Sequence, residues 1–262
     1  RSHYTRYSGA TMITSSLFGV EYELSTDNNT TDDVRNGKEI KVTENEYALP
    51  ICYLGEKEAL DLHLSEFNPF EAQTELLNTL IGKDYEYYAR IDNPSLETSN
   101  ITQGSTSDGH RSFKKTDTAN AASLTYTFTM TKTGDLYMYL PSTYERTIDV
   151  SVNGQSKGKY FEGDNNYMRN FGRFSQGENI TVKFSLTKDN LYFREAEFYI
   201  GDGEVMKQGL TELLEINKDT RCELSSKTNV VSKVSCDRDM TFFTTIPVEK
   251  GWKIYVDGVK TD

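Results

Sequence analysis

The feature that most limits the possible fold is a series of short segments in residues 121–200 in which apolar and polar residues alternate. Alternation with a period of two is typical of a strand that buries one face, and turn signals containing Gly or Asn separate the segments. The pattern therefore predicts an antiparallel β-sandwich. The predicted strands are residues 124–130, 134–140, 147–152, 179–186 and 196–200.

Two of these segments suggest a particular kind of sandwich. Gly134-Asp-Leu-Tyr-Met-Tyr-Leu140 and Ile148-Asp-Val-Ser-Val-Asn-Gly154 resemble jelly-roll modules of the galactose-binding type. Seventeen Tyr and thirteen Phe, among many Thr, Val and Ile, also favour strands over helices. The predicted fold class is α+β and mainly β, with a jelly-roll or galactose-binding-like β-sandwich inserted in, or adjacent to, a smaller α+β domain.

Two helices are expected outside the sandwich. Asn68 can cap the first helix, with Pro69 in its first turn, Glu71 near the positive end of its dipole and Gly82 at its end. The second helix is predicted from an apolar face. That face comprises Met206, Leu210, Leu213 and Leu214.

A polar stretch at residues 92–117 has few apolar positions, which predicts a linker or a long loop and places a domain boundary there. We expect an α+β segment at residues 1–100 and the sandwich at residues 101–203. Residues 204–262 are expected to form a helix and strands that complete the sheet of the first segment. In that case the sandwich is an insertion.

The charge of the chain bears on its partners. The formal net charge is −11, and no stripe of Lys and Arg offsets it. Binding to nucleic acid or to an anionic membrane surface needs clustered basic residues, so the composition argues against both. No segment approaches the roughly 20 apolar residues of a membrane-spanning helix, so this part of the protein is expected to be soluble.

The three cysteines, Cys52, Cys222 and Cys236, have no CxxC spacing, which argues against a zinc site. Cys222 and Cys236 flank a predicted hairpin and could be bridged. Buried free thiols are the alternative.

No catalytic residue is predicted. His3, His63 and His110 lie in separate segments, and nothing in the sequence brings them to a nucleophile. The carboxylate pairs Glu21 with Glu23 and Glu195 with Glu197 are expected on solvated strand faces.

No cofactor is predicted, although two acidic turns could hold a structural calcium ion. Asp164-Asn-Asn166 and Gly201-Asp-Gly-Glu204 contain the oxygen ligands that Ca²⁺ prefers. Ordinary turn chemistry is the alternative for both.

A carbohydrate-binding surface is the main functional hypothesis from the residues themselves. Tyr144, Tyr167 and Trp252 lie among polar turns, and Arg169 and Arg173 accompany the second of them. Aromatic rings stack on the apolar faces of sugars, while Arg binds hydroxyl or phosphate oxygens. Filling of the sandwich core or its edge is the alternative role for the aromatic residues.

The C-terminal residues predict a hairpin. Asp257-Gly258 follows a strand-like segment and is a strong signal for a type I′ turn, because both central residues of that turn need positive φ. A strand is expected to start at Val259, only three residues before the last one, and the sequence begins at Arg1 without a leader. We expect the chain to be a piece of a longer protein.

Three stretches resemble a known family. They are Leu17-Phe-Gly-Val-Glu-Tyr22, Glu46-Tyr-Ala-Leu-Pro50 with Phe67-Asn-Pro-Phe-Glu-Ala-Gln73, and Phe243-Thr-Thr-Ile-Pro-Val-Glu-Lys-Gly-Trp-Lys-Ile-Tyr-Val-Asp-Gly-Val259. Together they resemble the extracytoplasmic C-terminal region of YfhO-like bacterial multi-pass membrane proteins, over nearly the whole chain. Such proteins are similar to glycosyltransferases that use lipid-linked sugars, and some are implicated in decorating teichoic acids.

The resemblance implies membrane helices before Arg1 and after Asp262, and places the essential acidic residue in a loop outside this chain. The expected role is therefore accessory: the chain would hold or orient a glycopolymer acceptor of the teichoic-acid type on the outer side of the membrane. Its expected partners are the rest of its own protein and a glycan. The alternatives are a non-enzymatic carbohydrate-binding or adhesion module and a secreted glycosidase.

Overall fold

The computed structural model describes residues 9–25, 40–64, 68–142, 146–161, 168–226, 229–247 and 250–261. Its helices are α1 Met12–Leu17, α2 Pro69–Ile81 and α3 Gly203–Ile216, with a 3₁₀ helix at Lys57–Asp61. Its strands, in chain order, are β1 Tyr22–Ser25, β2 Lys41–Glu44, β3 Cys52–Glu56, β4 Tyr88–Arg90, β5 Ser95–Ser99, β6 Ile101–Ser105, β7 Arg111–Lys115, β8 Ser123–Thr129, β9 Gly134–Tyr139, β10 Ile148–Val152, β11 Gln155–Tyr160, β12 Arg169–Phe174, β13 Asn179–Leu186, β14 Asn190–Phe193, β15 Glu197–Gly201, β16 Arg221–Ser226, β17 Asn229–Lys233, β18 Met240–Thr244, β19 Ile254–Val256 and β20 Val259–Thr261. No described helix is long and apolar enough to cross a membrane.

The chain divides into two compact units. The first, which we call the sandwich unit, comprises Arg1–Met12, His63–Asn78 and Asp84–Gln208. The second, which we call the mixed unit, comprises Ile13–Leu62, Thr79–Lys83 and Gly209–Asp262.

Two antiparallel sheets form the sandwich. Their strand orders are β11-β10-β13-β8-β5 and β12-β9-β15-β4. Strand β13 alternates exposed and buried residues, and it pairs with β10 on one side and with β8 on the other. Its inward side chains join a core to which both sheets contribute, including Leu124, Leu136, Val150, Phe184 and Phe198. The predicted fold class, mainly β with an antiparallel sandwich, is confirmed.

The prediction of a loop at residues 92–117 is wrong, because β5, β6 and β7 lie there. Strands β5 and β6 are each at the edge of a sheet, the second in a three-stranded sheet of order β14-β7-β6. Edge strands that expose most of their side chains need few apolar residues, and Phe113 of β7 supplies the fully buried contact. The boundary predicted after residue 100 falls between β5 and β6.

The two predicted helices are both present. Asn68 caps α2, because its Oδ1 accepts hydrogen bonds from the backbone N–H groups of Phe70 (3.0 Å) and Glu71 (3.2 Å). Gly82 follows with φ of 64°, the left-handed conformation that commonly ends a helix. Asp202 caps α3 through bonds of 3.2 Å from the backbone N–H groups of Glu204 and Val205. Asp202 belongs to the second acidic segment considered for calcium, and the structure shows it as a helix cap.

The four-stranded sheet also has an aromatic outer face. Phe70 of α2 stacks on Tyr199 of β15 with ring centroids 4.1 Å apart. Phe70 also makes edge contacts with Tyr88 of β4 and Tyr137 of β9, at 5.1 and 6.1 Å. The helix and the sheet are thus joined by aromatic packing on the face opposite the sandwich core.

Glu197 lies on this outer face and is not solvated as predicted. Its Oε2 atom is buried and has no hydrogen-bond partner among the described residues. Burial raises the pKa of Glu197 to about 7, against the opposing effect of Arg90. Glu195, by contrast, is exposed and forms an ion pair of 3.0 Å with Arg90. The other pair, Glu21 and Glu23, is exposed as predicted.

The mixed unit contains the sheet that the final residues were predicted to complete. Strand β18 pairs with β3 in antiparallel register, with Phe242 opposite Leu54. Three hairpins, β1–β2, β16–β17 and β19–β20, form separate two-stranded sheets.

One buried side chain supports β3 over a long sequence separation. The Oδ1 atom of Asn217 accepts a hydrogen bond of 2.7 Å from the Leu54 backbone N–H, and its Nδ2 donates one of 2.9 Å to the Leu54 carbonyl. Nδ2 also donates to the carbonyl of Leu213 at 2.9 Å. Because Asn217 is 5% exposed, water does not replace these bonds freely.

All three cysteines are free thiols. The β16–β17 register pairs Cys222 with Ser232, so the alternative of a bridge to Cys236 is wrong. Burial raises the pKa of Cys222 to about 11, and a hydrogen bond with Cys52 adds to this effect.

Replacing Asn217 by Ala is expected to destabilise the protein by about 2–4 kcal/mol, because both backbone groups of Leu54 lose their partners in a buried place. Urea unfolding measures the change. Asn229→Ala is the matched control, since Asn229 bonds to Ser225 at an exposed site, and it should cost about 0.5 kcal/mol or less. Equal losses in the two variants would contradict this role of Asn217.

Replacing Glu197 by Gln is expected to stabilise the protein at pH 8 and to change little at pH 4.5. In the native protein this carboxyl keeps its proton until about pH 7, whereas an ordinary Glu loses it near 4.5. The contribution of wild-type Glu197 to stability therefore falls as the pH rises from about 4.5 to about 7. Since the group is only half-buried, screening limits the gain in Tm to about 2–4 °C.

Calorimetry at pH 4.5, 6 and 8 tests this expectation. Glu97→Gln, at an exposed position of β5, makes the same chemical change as a control. A gain in Tm that is independent of pH would show that the burial of the Glu197 charge is not its cause.

Candidate functional site

A polar cleft of about 420 Å³ opens in the sandwich unit between the start of β10 and the turn that joins β13 to β14. Pockets that bind small ligands have volumes of about 300–1,000 Å³, so the cleft is of a suitable size. Its lining residues are Arg146, Thr147, Lys188, Asp189 and Asn190.

The register of the five-stranded sheet brings the two lining segments together. Ile148, the first residue of β10, pairs with Leu186, the last residue of β13. The residues just before one strand and just after the other are therefore neighbours. The hydroxyl of Thr187 donates to the carbonyl of Thr147, and the Thr147 hydroxyl donates to the carbonyl of Phe161 at 3.1 Å. These bonds fix the floor of the cleft.

The charges in the cleft are mainly positive. Arg146 and Lys188 are exposed. Asp189, the carboxylate of the lining, forms an ion pair of 3.5 Å with Lys115, whose side chain is 14% exposed. The backbone carbonyl of Asp189 also accepts a hydrogen bond of 2.9 Å from the Lys115 N–H. Among the described residues of the lining, two are basic and one is acidic, although the whole chain is acidic.

Asn190 adds a hydrogen-bond acceptor. Its Oδ1 atom is buried and has no hydrogen-bond partner within the described parts of the chain. A buried acceptor without a partner costs about 1–3 kcal/mol relative to a satisfied one. This oxygen has almost no accessible surface, so a ligand hydroxyl would recover that free energy only if the Asn190 side chain turned toward the cleft.

The described groups of the cleft can bind a ligand through hydrogen bonds and charge. Arg and Lys donate hydrogen bonds to hydroxyl, carboxylate or phosphate oxygens, whereas the Asn190 oxygen accepts them. Glycoside hydrolysis usually requires two carboxylates that flank the scissile bond. Among the described residues of the lining there is one, Asp189, and it forms an ion pair with Lys115. The arrangement fits a ligand that has both hydroxyl and anionic groups.

The described residues that were predicted to bind carbohydrate, Arg169, Arg173 and Trp252, do not line this cleft. Tyr144 and Tyr167 lie outside the described residues, as does the acidic segment at 164–166. Trp252 is exposed in the mixed unit. Arg169 and Arg173 are both on β12, in the sandwich unit.

The two arginines of β12 face opposite sides of their sheet. Arg169 pairs with the core residue Met138 and donates hydrogen bonds to the carbonyls of Lys157 and Lys159 in β11. Arg173 pairs with Asp135 on the outer face and is exposed. The register shift between these positions, a β-bulge, causes the change of side.

The sequence contained little indication of Lys188 and Asn190. Lys188-Asp189-Asn190 has the composition of an ordinary turn between strands. Arg146 is better indicated by the sequence, because it is close to Tyr144, a residue predicted to bind carbohydrate. The unsatisfied oxygen of Asn190 depends on packing that no local pattern reports.

The histidines and the acidic residues form no further site within the described ranges. His110 is buried, and its Nδ1 lies 3.1 Å from Asp108. His63 is exposed, and His3 is outside the described residues. No group of three or more His, Cys, Asp or Glu side chains in the described part of the chain could hold a metal ion.

Several solved carbohydrate-binding modules are similar to part of the chain. A family 35 module from Clostridium thermocellum has 11% identity and a TM-score of 0.31, covering 42% of this chain and 99% of that one. The family 35 module of Abf62 from Cellvibrio japonicus has 15% identity and a TM-score of 0.30, covering 44% and 91%. That from Paenibacillus barcinonensis has 11% identity and a TM-score of 0.30, covering 44% and 98%. No ligand is transferred from similarities this distant.

A family comparison covers the chain from end to end. No curated protein matches it. The family described as "Bacterial membrane protein YfhO" matches residues 1–262, which confirms the family resemblance seen in the sequence. The chain therefore belongs to the YfhO family of bacterial membrane proteins.

Proposed function

We propose that this chain is an extracytoplasmic part of a membrane-embedded, glycosyltransferase-like protein, and that its sandwich holds or orients a glycopolymer acceptor of the teichoic-acid type. The observation that carries the proposal is the polar cleft, in which Arg146 and Lys188 accompany the unsatisfied oxygen of Asn190. Membership of a bacterial membrane protein family supports a site of action at the cell envelope.

The chemistry of the cleft matches that of a polyol phosphate. Each repeat of such a polymer has phosphate oxygens that accept hydrogen bonds from Arg or Lys, and hydroxyls that can donate one to an amide oxygen. A neutral polysaccharide would use Asn190 but would gain little from the two cations. We therefore favour an anionic glycopolymer.

The role is accessory rather than catalytic. The cleft offers positioning groups, and the carboxylate of Asp189 is engaged with Lys115. Holding an acceptor near a reaction centre raises its effective concentration, which is a contribution that binding alone can make.

Charge reversal in the cleft is expected to weaken the binding of purified wall teichoic acid. Lys188→Glu and Arg146→Glu should each lower the affinity about tenfold or more, because each removes a charge-assisted hydrogen bond. Isothermal titration calorimetry at two salt concentrations measures the effect, and binding by the wild-type chain should weaken as salt rises.

Two further variants distinguish binding in the cleft from a nonspecific effect of charge on the affinity. Lys183→Glu makes the same charge change at an exposed position of β13 and should alter the affinity about twofold or less. Asn190→Leu should weaken binding about fivefold at both salt concentrations, since it removes a neutral acceptor. If Lys188→Glu binds as well as the wild type while keeping its Tm, the cleft is not the site.

A further inference from the structure

The hairpin formed by β19 and β20 has an unusual surface. Its turn is Asp257-Gly258, with φ of 50° and 80°, so both central residues have the positive φ that a type I′ turn requires. Val256 pairs with Val259 beside the turn, and Ile254 pairs with Thr261. We call residues 250–261 the apolar hairpin.

Every residue of the apolar hairpin is exposed. Its large side chains are 49–69% exposed, and they are Trp252, Ile254, Tyr255, Val256 and Val259. Because residues opposite each other share a face, Ile254, Val256 and Val259 lie on one side of the hairpin. A strand pair in water normally buries one face, so contiguous apolar exposure of this kind marks an interaction surface.

The charge of the hairpin is opposite in sign to that of the whole chain. Residues 250–261 contain three lysines, Lys250, Lys253 and Lys260, and one acidic residue, Asp257. The formal net charge of the whole chain is −11. Electrostatic attraction to a surface is screened beyond about 10 Å. The sign of the interaction with a membrane is therefore decided by the charges nearest to it, which on this hairpin are mainly lysines. The sequence argument against an anionic membrane surface therefore does not apply to this hairpin.

We propose that the apolar hairpin inserts into the interface of an anionic phospholipid bilayer. Trp and Tyr side chains favour the headgroup level of a membrane, where one end of the ring is apolar and the other is wet. The three aliphatic side chains would enter the acyl boundary. Lys260 shares the other face of the hairpin with Tyr255, and the long lysine side chains would reach lipid phosphates around the inserted residues.

The combination of groups favours lipid over a sugar as the ligand. A sugar-binding aromatic works with polar side chains that bind ring hydroxyls, whereas the strand residues near Trp252 on this hairpin are mainly aliphatic or aromatic. A lipid interface satisfies the apolar face and the lysines together. Membership of a membrane protein family places the chain near such a surface.

The fluorescence of Trp252 tests the proposal directly, because it is the only Trp of the chain. The 262-residue protein is titrated with vesicles of phosphatidylcholine containing 30% phosphatidylglycerol, and separately with pure phosphatidylcholine vesicles. We expect the emission to move to shorter wavelength with the anionic vesicles, and brominated acyl chains to quench it. No shift with the anionic vesicles, or a shift only when teichoic acid is added, would overturn the proposal.

Variants at exposed positions separate the contribution of the lysines from that of the apolar side chains. Lys253→Gln with Lys260→Gln should lower the partition coefficient roughly 25-fold, about fivefold for each lysine. Ile254→Asp with Val256→Asp should abolish measurable binding. Val231→Asp, at an exposed position of β17 in the same unit, should bind like the wild type.

Thermal melts followed by circular dichroism show whether each variant is folded. Because the substituted hairpin residues are exposed, we expect these variants to have unchanged Tm values. If the Val231 variant loses as much binding as the hairpin variants, or if folded hairpin variants bind like the wild type, the proposal is wrong.

Discussion

The register of β13 between β8 and β10 is the constraint on which the sandwich unit depends. A shift of one residue would move Ile180, Val182 and Phe184 from the core to solvent, because side chains alternate between the faces of a strand. The same register places the first residue of β10 beside the last residue of β13. The cleft is therefore a consequence of core packing: whatever holds the apolar residues inside also holds Thr147 next to Lys188.

The cleft and the apolar hairpin show that the net charge of a chain describes its surfaces poorly. Both are locally basic, although the formal net charge is −11. In the cleft, the carboxylate of Asp189 is paired with the partly buried Lys115. In the hairpin, the lysines stand on a short element with one acid. Salt screens the electrostatic interactions of each surface beyond about 10 Å. The local charge of a surface therefore matters more for binding than the net charge of the whole chain.

Features set by neighbouring residues were predictable from the sequence. The cap at Asn68, the stop at Gly82 and the turn at Asp257-Gly258 depend on local backbone geometry, and each is as expected. Strands β5 and β6 were missed because their polar side chains are tolerated at sheet edges, and β7 was missed because Phe113 is its one large apolar residue. The bonds of Asn217 to Leu54 join residues 163 positions apart, and the burial of Glu197 depends on packing around its strand. No sequence window contains such information.

The amide of Asn217 also occupies one edge of a strand. Strand β3 pairs with β18 on one side, and the backbone groups of Leu54 point the other way, toward Asn217. An unpaired strand edge is a template on which another molecule can add a strand, and repeated addition produces fibrils. By occupying the N–H and the carbonyl at the middle of that edge, a single side chain makes the position unavailable for polymerisation.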